Sequence, residues 1–273
     1  LPNCLFSITS TEEPLIVHTK NNQEVLMVTS LTTPDATLAA IEAALPIDPQ
    51  PYTIGDRPTG LIVVDVLNGF CTVGFGPLAP TEPNQQIATM VSESDRLAKA
   101  FTAKGWPVLA FLDTHEPGKP EPPYPPHCEK GSGEEKLVPE LEWLETHPHA
   151  TLIQKDCING FIGSIDVDTG NNTLISWINQ HKLEALVVVG ICTDICVMDF
   201  VVTMLSARNH DMVPTLKDIA VYTEGCSTFD LSAEMAAQQG LPKTAIHPQE
   251  IAHHVGLYTM AERGAFIAST ILM

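Results

Sequence analysis

Four short apolar runs in this sequence each end on a side chain that can do chemistry. Leu61–Val64 runs into Asp65, Val108–Leu112 into Asp113-Thr114-His115, and Thr151–Ile153 into Gln154-Lys155. The fourth, Leu186–Val189, runs into Gly190-Ile191-Cys192-Thr193-Asp194-Ile195-Cys196. A carboxylate placed like Asp65 can be a general base, although a strand-ending Asp is also an ordinary turn residue. Lys155 can hold a carboxylate and tune a shared proton, or simply be solvated. Cys196 opens an amphipathic run (Val197, Phe200, Val201, Met204, Leu205) just behind Thr193 and Asp194, which are good N-cap types. A thiol at a helix N-terminus has its pKa lowered and becomes a nucleophile; the plain alternative is a small core residue. Cys192 has no helix terminus at its own side chain and reads as structural, and Cys71, Cys128, Cys157 and Cys226 read as core or supporting residues.

Asp113 and His115 stand two apart on an extended segment, so they share a face and can chelate one divalent cation. His127 follows twelve residues later, behind the stiff Pro122-Pro123-Tyr124-Pro125-Pro126. Two imidazoles and a carboxylate suit zinc first, or iron or manganese where water completes an octahedron. D-x-H alone is a weak signal. Residues 113–145, with nine acids against three lysines, read equally as a solvated acidic loop. His247, His253 and His254 read as structural.

Such residues need a scaffold that brings them together. The runs are short, continuous and β-branched, as strands buried on both faces of a parallel sheet are. A further run, Ile219–Tyr222, has the same character. Helical patterns alternate with them: Ile87 to Phe101 before Gly105, Leu174 to Ile178, Val197 to Leu205, and Ile251–Met260. This rhythm predicts an α/β fold, a doubly wound and mainly parallel sheet with helices on both faces. Ligands bind beyond the carboxyl ends of such strands, so the strand-end residues would share one active site. The main domain is expected over 57–273. Residues 1–56 read as a small N-terminal extension, with a hairpin from Leu15–Thr19 and Val25–Thr29 and a short helix over Thr37–Leu45.

Composition narrows the function classes. The 273 residues carry 14 basic and 33 acidic side chains, a net charge of −19, and no basic run. Phosphate backbones and anionic lipid surfaces are repelled, which argues against nucleic acid and membrane as partners. The apolar runs are far shorter than the roughly 20 residues of a spanning helix. Seven scattered cysteines without a CxxC pair fit reduced thiols in an intracellular, cytoplasmic setting, although a chain beginning at Leu1 leaves a removed targeting segment open. The apolar content of 44% makes a homo-oligomer a reasonable expectation.

Together these residues resemble the isochorismatase-like cysteine hydrolases, and within them the plant-type nicotinamidases. The resemblance lies in TGLIVVDVLNGFCTVGFGPLA (Thr59–Ala79), VLAFLDTH to PYPPH (Val108–His127), QKDCINGFIGS (Gln154–Ser164) and VVVGICTDICVMDFVVTMLSARN (Val187–Asn209). The closing HPQEIAHHVGLY adds to it, and coverage runs over about residues 57–265. It implies an Asp65–Lys155–Cys196 triad and metal ligation by Asp113, His115 and His127. It further implies a cis peptide at Ile191–Cys192 beside the oxyanion, and an aromatic pocket of Phe70, Tyr124 and, more loosely, Phe161. The implied reaction is hydrolysis of nicotinamide to nicotinate and ammonia through a cysteine thioester, in NAD salvage. Leu67 stands where the family often has Gln. Glu121 stands at the spacing of a further metal-binding His, as a fourth ligand, a water-mediated one or a solvated acid. Alternatives are a related amidase acting on a carbamoyl or ureido substrate, or a silent binding scaffold; isochorismatase itself resembles the chain without a cysteine at 196.

Overall fold

The computed structural model describes residues 34–119 and 121–273, so the expected hairpin at 15–29 lies outside the described residues. The chain divides after Ala44. Before that point the described part is helix α1, Pro34–Ala44, where a short helix was expected. After it, strands β1 (Gln50–Thr53), β2 (Thr59–Val64), β3 (Val108–Asp113), β4 (Ala150–Lys155), β5 (Ala185–Ile191), β6 (Asp218–Ser227) and β7 (Phe266–Leu272) form one sheet. Every pairing is parallel, in the order β1-β7-β6-β5-β2-β3-β4. The five expected strands are present. The boundary differs from expectation: Gln50–Thr53, assigned above to the extension, pair with β7 inside the sheet-bearing unit.

Burial on both faces explains the continuous apolar runs. Along β2, Leu61 and Val63 face one core and Ile62 and Val64 the other. The first core is closed by Ile87, Met90, Leu97 and Phe101 of α2 (Gln85–Ala103). Asn84 caps that helix, accepting from the Ile87 N–H at 3.0 Å, and Gly105 ends it in the left-handed region at φ +71°. The second core takes Trp177 from Thr173–His181, Phe200 and Met204 from Met198–Asn209, and Met260 from Gln249–Glu262.

Strand order reverses between β5, the central strand of the sheet, and its neighbour β2. Ligand crevices open at such a switch point, beyond the carboxyl ends. At that end Gly190 of β5 lies opposite Val64 of β2 with φ +129°, and a Cβ there would sit 2.1 Å from the Val64 carbonyl oxygen. Gly190→Ala is therefore expected to cost about 3–5 kcal/mol, the sum of overpacking against backbone and a disfavoured φ. Denaturant titration measures this; an unchanged midpoint would show that the strands part easily here.

Candidate active site

The site is assembled by four adjacent strands. In the order β5-β2-β3-β4, their carboxyl ends deliver Cys192 and Cys196, Asp65, Asp113 and Lys155. Asp65 directly follows β2 in the left-handed region, φ +52°, and is fully buried. Its N–H donates to the Phe111 carbonyl at 3.1 Å, which fixes the turn. Lys155 Nζ lies 2.9 Å from Asp65 Oδ2 and 2.9 Å from Asp113 Oδ1, with its side chain closed to solvent. The Asp65 contact is an ion pair rather than an aligned hydrogen bond, so both carboxylate oxygens remain able to accept. Burial pushes Asp65 up, Lys155 pulls it back and Asp113 adds to the rise, leaving its pKa at about 6. Lys155 is held well above its ordinary value: burial opposes the charge, but Asp65, Cys196 and Asp113 outweigh it.

Cys196 sits in a single wide turn, Thr193–Val197, that feeds the helix Met198–Asn209. The Val197 N–H reaches back five residues to the Cys192 carbonyl at 3.1 Å, which closes this π-type turn. Lys155 Nζ is 4.0 Å from Cys196 Sγ and 2.9 Å from Asp65 Oδ2, so one ammonium stands beside both the thiol and the carboxylate. Two expectations are corrected here. Thr193 and Asp194 do not cap the helix; their side chains bond His253 Nδ1 (2.8 Å) and Thr228 and His247. Nor is the resting thiol acidified. Burial raises it well above its ordinary pKa, and the Asp65 charge offsets what Lys155 would lower. The thiol thus rests protonated beside a carboxylate that can take the proton. The peptide Ile191–Cys192 is cis, as the resemblance implied.

Asp113 turns its other oxygen to two imidazoles. Oδ2 is 3.0 Å from His115 Nε2 and 3.0 Å from His127 Nε2, and Glu121 Oε2 stands 3.6 and 3.7 Å from the same two nitrogens. The four ligand atoms lie within 4.8 Å of one another. His127 Nδ1 donates to the Pro125 carbonyl at 2.8 Å, so its Nε2 carries the free lone pair that faces the cluster. Backbone bonds from His115 N–H to Cys128 O (3.0 Å) and from Lys130 N–H to His115 O (2.9 Å) tie the two histidine segments together. Two imidazoles and two carboxylates, convergent and largely buried, fit a divalent cation.

The thiol and three residues of the cluster, Asp113, Glu121 and His127, line one cavity, walled by Phe70, Tyr124, Ile195 and Phe229. The rings of Phe70 and Tyr124 lie 5.7 and 6.1 Å from that of His127. Phe161 is not on this wall; it packs in the second core near Ile153 and Leu174. Leu67 is buried and bridges to Leu137. Phe229 escaped the sequence reading. It follows β6, which runs on to Ser227 instead of stopping at Tyr222, so it too stands beyond a strand end.

The Isochorismatase domain family matches residues 59–250, about seven-tenths of the chain. The chain belongs to the isochorismatase family. Among family relatives, Nicotinamidase 1 of Arabidopsis thaliana is 50% identical over 233 residues, covering 85% of this chain and 94% of that one. The nicotinamidase/pyrazinamidase of Mycobacterium tuberculosis is 35% identical over 146 residues, half of this chain and 73% of that one. A crystal structure of a nicotinamidase from Bacillus subtilis aligns at TM-score 0.57 and 21% identity, covering 78% of this chain and all of that one. An N-carbamoylsarcosine amidase from Thermoplasma acidophilum aligns at TM-score 0.54 and 19% identity, over 78% of this chain and 96% of that one. These two structures share the isochorismatase-type sheet. Among the described residues no helix is long and apolar enough to cross a membrane.

Proposed function

We propose that this chain hydrolyses nicotinamide to nicotinate and ammonia, within NAD salvage. The observation that carries the reading is that Cys196 lines one aromatic-walled cavity with Asp113, Glu121 and His127, three of the four residues of the Asp113/His115/Glu121/His127 cluster. The Arabidopsis relative, alike along nearly its whole length, supports it. Asp65 accepts the thiol proton as Cys196 Sγ adds to the carboxamide carbon. The N–H groups of Cys192 and Cys196 receive the oxyanion. Collapse expels ammonia, protonated by Asp65, and leaves a thioester. Asp65 then takes a proton from water, which releases nicotinate and restores the thiol. Lys155 keeps Asp65 oriented and favours its charged form. A divalent cation, zinc by preference, held by Asp113, His115, His127 and Glu121 would supply a Lewis acid for the pyridine nitrogen. Phe70, Tyr124 and Phe229 enclose the ring.

Ammonia release from nicotinamide, measured with and without a chelator, tests this reading. Release lost on chelation and restored by metal supports it; no release from metal-loaded, reduced protein would favour the carbamoyl or ureido substrates. His115→Ala should lower bound metal below one equivalent and raise KM, and unchanged metal content would remove His115 from the ligand set. With Asp65 at about 6, kcat/KM should fall about tenfold per unit below roughly pH 6, because a protonated carboxyl cannot take the thiol proton. A flat profile down to pH 5 would exclude Asp65 as the base.

A further inference from the structure

The mechanism leaves a half-buried ion pair unused. His247 Nε2 lies 2.9 Å from Asp194 Oδ2, and its Nδ1 lies 2.8 Å from the Phe229 carbonyl oxygen. The imidazole also stacks on the Phe229 ring, with centroids 3.9 Å apart and planes at 13°. Asp194 stands two residues before Cys196, inside the wide turn, and its other oxygen accepts from Thr228 Oγ1 at 2.7 Å. Two backbone bonds of 2.9 Å between Leu231 and His247 anchor the segment that carries the histidine. Both acceptors on the ring can only accept, so the doubly protonated imidazolium satisfies both at once.

One side chain therefore touches both halves of the site. Its Nε2 edge grips the turn that presents the nucleophile, while its Nδ1 edge holds the Phe229 backbone carbonyl and its face packs on the Phe229 ring that walls the cavity. We propose that His247 is a positioning residue that sets the Cys196 turn and the Phe229 wall at a fixed spacing, so that an aromatic amide meets the thiol in register. Neither contact reaches the reacting atoms, and the effect runs through Asp194 and Phe229.

The two edges can be separated by substitution. Gln places an amide N–H near the Nε2 position and keeps the grip on Asp194; Asn places one near Nδ1 and keeps the grip on Phe229. The kinetic arm rests on the nicotinamide reading. His247→Gln should raise KM for nicotinamide about tenfold while kcat falls less than about threefold. His247→Asn should do the reverse, lowering kcat about thirtyfold with KM within about threefold, because a small misplacement of a nucleophile is costly. A second arm needs no substrate. Iodoacetamide alkylation of Cys196, followed on its peptide by mass spectrometry, should slow about fivefold in His247→Asn and stay within about twofold of wild type in His247→Gln. If all variants change kcat, KM and alkylation in parallel with their melting temperature, or change none of them, His247 only supports the fold and the proposal fails. Protein inactive on nicotinamide that still shows the alkylation split would overturn the substrate reading and leave the positioning role standing.

Discussion

Cys196→Ala should abolish turnover, by about 10⁴-fold or more, with the fold and the metal content unchanged. The size of the effect follows from what remains. Asp65 and Lys155 would still form their ion pair, but without Sγ no bond forms to the carboxamide carbon. Serine is no substitute, since a hydroxyl beside a carboxylate of pKa about 6 gives up its proton far less readily than a thiol. The turn itself should survive, because Thr193, Asp194 and Val197 hold it through bonds that do not involve the thiol. Melting of the variant should stay within a few degrees of wild type, and nicotinamide should still raise it, which separates binding from chemistry. Retained activity in Cys196→Ala would leave the site without its nucleophile and discard the thioester route.

Much of this site was legible because burial on both faces forces a strand to spell itself in apolar residues and to stop where it meets the ligand. Asp65, Asp113, Lys155 and Cys196 all mark such stops, and the sheet order makes them neighbours. The signal fails where a strand is not apolar. β1 reads Gln-Pro-Tyr-Thr and is buried only at Tyr52, as an edge strand with a proline can be. Late in β6, Thr223, Glu224 and Gly225 interrupt the apolar pattern, so the strand looked finished at Tyr222 and Phe229 was lost from view. The state of the thiol was not legible either. A helix terminus can be read from spacing, but the burial that overrides it at Cys196 comes from chain segments distant in sequence.

Asp113 shows how tightly the two halves of the site are coupled. One oxygen meets the lysine of the triad and the other meets both imidazoles. Burial disfavours its charge, yet Lys155 and the histidines hold its pKa far below the ordinary carboxylate range. A carboxylate that stays ionised while buried suits a metal ligand. It also means that Lys155 compensates two buried negative charges at once.

Replacing that cation should have the second large effect, on stability and rate together. Lys155→Met keeps the length and apolar stem but leaves Asp65 and Asp113 facing each other in a closed site, at a cost of about 3–5 kcal/mol near neutral pH. The sign with pH is set by the shifts. Lys155, raised above its unfolded value, contributes fully at every pH below about 10. Its partner Asp65 protonates near 6, so the lysine has less charge to compensate as pH falls through that value. The loss on substitution should therefore be larger at pH 7.5 than at pH 5, which paired denaturant titrations would show. Turnover should fall about 10³-fold at pH 7, and the residual activity should have its acid limb moved upward from pH 6, since an uncompensated Asp65 holds its proton longer. A variant with lowered rate but an unmoved acid limb would mean that Lys155 acts on something other than the Asp65 proton.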